Sequence, residues 1–328
     1  MFIRSYHVAT IRRCIVLASS AMLGACGLRG AERPVVSVVP EHAPSSTAVR
    51  EGYVVDTPEF ALITSSSPAK AIALSSLHES VTTFEWLFED PAPHIGVVVV
   101  NGSLSASAAA SMMPQDVTTI MVMTGDPDSA DTARSVAELE GALRTMSADA
   151  WLHDYANQWA VAVNGDTTST GVEPDEVTSR AELLPHWLRV GALRVIAEGN
   201  QPTRADATPK VIMPLRELFN YKLRPPEVGV VARLLHHPER LRDTTGDEAH
   251  DEAMSRSFIL QSTSVVRFLR ETEGGAAVSD LFGASMTGMP AEEILAQLPH
   301  PTSVAALERS WLRWSSTHDR IATAAVAR

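Results

Sequence analysis

The chain has 328 residues, 45% of them hydrophobic and 20% charged, which is the balance of a folded globular protein. A formal charge of −12 argues against a nucleic-acid partner, because phosphate backbones are held by clustered Lys and Arg. Cys14 and Cys26 are the only cysteines, so neither a disulfide framework nor a thiolate metal site is expected in the body of the protein.

Arg4, Arg12 and Arg13 precede an apolar run over residues 15–25 that ends in Leu23-Gly24-Ala25-Cys26. A basic region, a short hydrophobic region and small residues before a cysteine form an export signal; a spanning helix needs about 20 apolar residues. The pattern resembles a bacterial lipoprotein lipobox, which implies lipidation at Cys26 and a lipid bilayer as partner. Residues 1–26 are therefore read as a lipoprotein signal peptide, and the expected location is the bacterial cell envelope, facing the periplasm. Gly27, in place of the aspartate associated with inner-membrane retention, leans toward the outer membrane. Loss of the leader removes three arginines and no acid, which leaves the body more acidic still. Residues 27–52, with Pro34, Pro40, Pro44 and a Ser-Ser-Thr cluster, read as a flexible tether.

The folded part begins with extended pieces at Val54-Val55 and at residues 60–63, separated by Thr57-Pro58. Apolar residues at spacings of three and four predict a helix over 69–88, ended by Asp90-Pro91-Ala92-Pro93. Residues 95–100 and 118–124 are apolar, β-branched runs bounded by Pro and Gly and predict buried strands. A helix capped by Ser129 or Asp131 presents Val136, Leu139, Leu143 and Met146, and a separate helix is expected over 150–163. A polar loop over 166–180 and a helix over 185–197 follow. Beyond residue 211 the chain is helix-rich. A helix starts near 213–219, Pro225-Pro226 interrupts, 243–252 is an acidic loop, 257–271 is an apolar-faced helix, and shorter helices fall at 278–283, 291–297 and 304–314. Strands first and helices last predict an α+β fold: an N-terminal mixed sheet with covering helices over 53–165, a helix-rich C-terminal part over 166–316, and a tail over 317–328.

Two segments carry the chemistry. In Trp151-Leu152-His153-Asp154-Tyr155-Ala156-Asn157, His153 and Asn157 are four residues apart and share a helix face, with Asp154 between them. In Leu184-Pro185-His186-Trp187-Leu188-Arg189-Val190-Gly191-Ala192, Pro185, Trp187, Leu188 and Gly191 frame Val190. Together they resemble the zinc site of gluzincin (peptidase MA-like) proteins. There the first segment is H-E-x-x-H and the second carries a glutamate ligand. The resemblance extends in element order over residues 53–315 and implies a zincin-like fold. By this likeness Asn157 replaces the second imidazole, Val190 the third ligand and Asp154 the glutamate base, so the zinc motif is not intact.

A zinc hydrolase needs three protein ligands, an open position for water and a carboxylate base. One imidazole, one amide and one isopropyl group do not supply that set, so His153, Asp154, Asn157 and Val190 are expected to be vestigial, with no cofactor. The leading expectation is a pseudo-metallopeptidase acting as a binding or scaffolding module for a protein or peptide partner. The alternative is an atypical zinc-dependent peptidase in which His153 is joined by His186, one turn before Val190, or by Glu182, Glu198 or Tyr155. His236-His237 and the His250-Asp251-Glu252 stretch are weaker cation candidates, and Trp151, Trp159, Trp187, Trp311 and Trp314 are read as core residues that could alternatively line a groove.

Overall fold

A computed structural model describes residues 33–34, 53–64, 67–101, 117–124, 132–164, 184–199, 212–223, 225–236, 247–298, 300 and 302–318. The signal peptide with Cys26, nearly all of the tether, the polar loop at 166–180 and the tail beyond 318 lie outside the described residues, as do Glu182 and His237.

The strands form where apolar β-branched residues cluster between turn residues. They are β1 (Arg33–Pro34), β2 (Tyr53–Asp56), β3 (Phe60–Thr64), β4 (Ile95–Asn101) and β5 (Thr119–Thr124), lying side by side in that order. Four of these make up a small mixed sheet, and two-residue β1 extends its edge. β2 and β3 are antiparallel across Thr57-Pro58, whereas β3, β4 and β5 are parallel, with Leu62 beside Val97 and Val98 beside Met121. Parallel neighbours require a crossover. Between β3 and β4 it is helix α1 (Ser67–Phe88). Alternation along β4 divides its valines between two layers: Val97 and Val99 enter the main core, while Val98 and Val100 join Ile63 on the opposite face.

The helices form the larger part of an α+β architecture. They are α2 (Thr132–Asn164), α3 (His186–Glu198), α4 (Leu215–Asn220), α5 (Pro225–His236), α6 (Asp247–Glu273), α7 (Gly275–Ser285), α8 (Ala291–Leu295) and α9 (Val304–His318). Residues from Val55 to Trp311 join one hydrophobic cluster, so the sheet and the helical part share a single core.

Three local expectations are corrected. α2 is one helix of 33 residues rather than two. Ser147-Ala148-Asp149 contains no breaker, and Leu143, Ser147 and Trp151 continue one buried stripe across the expected gap. Pro225-Pro226 opens α5 instead of interrupting the chain, because the first N–H groups of a helix need no intrahelical acceptor. The expected acidic loop is helical from Asp247 onward, and Glu252 is buried and paired with Arg256 one turn later at 2.9 Å.

Helices α3 and α6 make the most intimate helix pair. A Cβ on Gly191 would stand 2.5 Å from the backbone oxygen of Ser262, so glycine permits this approach. Gly283 of α7 plays the same part against the Trp159 ring, which a Cβ would meet at 2.6 Å.

Candidate functional site

Helices α2 and α3, which carry the two sequence motifs, pack against each other. Arg189 and Asp149 link them at 3.0 Å, one residue before Val190 and one turn before His153. The fully buried stripe of α2 runs through Trp151, Tyr155 and Trp159. At about 100° per residue, His153 and Asn157 lie on the side of the helix turned away from that stripe. Both are half-buried. Asp154 is engaged: its Oδ1 accepts the Thr118 hydroxyl at 2.6 Å, joining α2 to the start of β5. Val190 is buried in the core.

The side chains considered as recruited ligands are also placed. His186 Nδ1 accepts the backbone N–H of Leu223 at 2.9 Å, which fixes the neutral ring with its proton on Nε2. Burial lowers its pKa, and the charges of Arg189 and Lys222 lower it further. Glu198 is deeply buried and shared by Arg194 and by Arg267, the latter at 3.2 Å. Tyr155 donates to Asp90 and touches the Ser279 hydroxyl, while Ser279 Oγ donates to the same carboxylate oxygen at 2.7 Å. Burial, followed by the Asp90 charge, pushes the Tyr155 phenol far above its ordinary range. Glu198 and Tyr155 are therefore engaged in holding the fold together, and His186 is engaged through Nδ1. Among the described residues no three His, Cys, Asp or Glu side chains gather as one. Of the weaker cation candidates, Glu252 is the buried partner of Arg256, and nothing is described of the side chains of His236, His250 and Asp251.

A concave site does exist at α3's first turn. It is a pocket of about 490 Å³ between α3, α4 with the residues after it, the end of α7, and α8. His186 and Trp187 form one wall, Phe219 and Lys222 a second, Leu281 and Ile294 a third. Trp187 packs on Phe219 with ring centroids 4.6 Å apart. Trp187 is only 3% exposed, and its Nε1–H is buried without a hydrogen-bond partner among the described residues. Trp151, Trp159 and Trp311 are instead core residues, and Trp314 bonds to Glu271 at 2.8 Å.

Sequence reading picked out His186 and Trp187 but for different reasons, and it missed Lys222, Leu281 and Ile294. The lining comes from four separate segments with ordinary helical spacing, so no local pattern announces it. The one available signal was the helix expected near 213–219, whose Phe219 supplies a wall.

No family model matches the chain, and no match is found among curated proteins or solved structures.

Proposed function

We propose that this chain is a lipid-anchored envelope protein, attached through Cys26, whose zincin-like, peptidase MA-like domain is a non-catalytic binding module. The observation that carries this reading is how the motif positions are used. Asp154 holds Thr118, Val190 is core, and the groups best able to replace the missing ligands serve the fold. A cleft can outlast its chemistry, because fold does not dictate function. The pocket beside His186 gives the domain a place to bind a partner. The lipobox pattern ending at Cys26 supports the anchor, and the glycine after it supports the outer membrane.

The test has two arms. Purified protein loaded with zinc and then dialysed is expected to retain substoichiometric metal by elemental analysis, and to cleave nothing in a broad peptide library. One tightly held zinc per chain, lost on His153→Ala and accompanied by chelator-sensitive cleavage, would overturn the reading in favour of an atypical peptidase that recruits His186. For the anchor, labelled palmitate is expected to enter the wild-type chain and not Cys26→Ser. Label retained in that variant removes the proposed attachment.

A further inference from the structure

The pocket walls are largely apolar, with His186, Asn220, Tyr221, Lys222 and Ser285 among them. Asn220, Tyr221 and Ser285 donate within the fold, to Arg216, Glu227 and Leu281. Lys222 is a cation with no ion-pair partner among the described residues. His186, with Nδ1 occupied by Leu223, can offer only its Nε2–H in the neutral form. Trp187 contributes to the wall as a residue 3% exposed, with its Nε1–H buried. The described lining holds no Asp or Glu. A site with donors, one cation, no carboxylate and walls of Phe219, Leu281 and Ile294 complements a molecule with an anionic acceptor at one end and a hydrocarbon body behind it. The volume is in the range of small-ligand sites.

Resting on the reading of the domain as a binding module, we propose that this pocket binds a small carboxylate with an apolar body, its head group against Lys222 and the His186 Nε2–H. A carboxylate is acceptor-only when ionised and can take several donors at once, which suits this set. Its apolar body would cover the Phe219 and Ile294 walls.

The full chain is titrated with 4-phenylbutanoate, and with 4-phenylbutanol and 4-phenylbutylamine as neutral and cationic analogues of the same shape, by equilibrium dialysis. Saturable binding of the carboxylate is expected, about tenfold tighter than the alcohol, with the amine weakest. Lys222→Met, at an exposed position, is expected to weaken the carboxylate about tenfold and leave the alcohol unchanged. Ala291→Trp, on the rim, should reduce both, with circular dichroism checking that the variant folds. Equal affinity for acid and alcohol, an unchanged carboxylate affinity in Lys222→Met, or no binding of any probe would overturn the proposal. None of those outcomes restores zinc or peptide cleavage, so the ligand class can fail while the non-catalytic reading stands, and the reverse.

Discussion

Helix α3 meets two contrasting environments. Along its middle, Gly191 lies directly on the α6 backbone; at its first turn, Trp187 and His186 border open volume. Elsewhere in the core a tyrosine hydroxyl, a serine and a carboxylate are matched to one another. Unmatched buried polar atoms occur at both places on α3: the Ser262 hydroxyl, on the residue that Gly191 approaches, and the Trp187 indole N–H at the first turn. The two regions therefore differ in room and charge rather than in polar matching: the middle of α3 leaves no space for a methyl, while its first turn borders a cavity lined in part by the Lys222 cation.

The largest effect that sharpens this contrast is expected on the closed side. Gly191→Ala places a methyl against a backbone oxygen that cannot swing aside, and should cost about 2–3 kcal/mol in chemical denaturation. Loss under about 0.5 kcal/mol would show that α3 and α6 are not as tightly joined as described. Tyr155→Phe removes a buried donor from Asp90 and should cost about 2 kcal/mol by the same measurement, Ser279 remaining to hold the carboxylate. If this variant is neutral, the matched cluster is not a source of stability.

Asp154→Ala should cost about 1 kcal/mol, the worth of its bond to Thr118. Asp154→Glu should lose the same bond and gain no zinc. Acquisition of zinc by that variant would break the distinction between a structural and a catalytic role for the position.

The smallest effect concerns pH on the open side. His186 titrates below its ordinary value of 6.5 in the folded chain, chiefly through burial. Its contribution to stability is fully present above that value and is lost as pH falls toward the lowered one, because the unfolded chain takes up the proton first. Protonation also abolishes the acceptor that holds the Leu223 N–H. His186→Gln should therefore flatten the stability profile just below pH 6.5; an unchanged slope assigns the acid sensitivity to other groups.

Much of the sheet was legible in the sequence, because Ile95 to Asn101 and Thr119 to Thr124 are apolar runs with clear boundaries. The helix ending at Phe88 was equally plain from its spacing. Boundaries failed where local signals were ambiguous: Ser147-Ala148-Asp149 suits a helix interior or a gap, and Pro225-Pro226 suits a stop or a start. The buried stripe through Leu143, Ser147 and Trp151 accompanies the first outcome, and the tolerance of proline in a first helical turn the second. The motif frame directed attention correctly to α2 and α3 as neighbours. It could not reveal that Asp154 serves Thr118, or that Asp90, Tyr155 and Ser279 meet, since such contacts join residues far apart in the chain. The pocket was least legible, because its walls share no periodicity.

The uninterrupted run of α2 has one more consequence. Leu139 and Leu143 near its start and Trp151, Tyr155 and Trp159 further on all enter the same core. They are thus locked to a single rotational phase. One residue inserted between Thr145 and Trp151 would turn everything downstream by about 100°, moving Trp151 and Tyr155 into the places of Leu152 and Ala156 and bringing Asp154 and Gln158 into the core places of Tyr155 and Trp159. A two-helix arrangement could absorb such a change in its connection; this spine has no joint at which to do so.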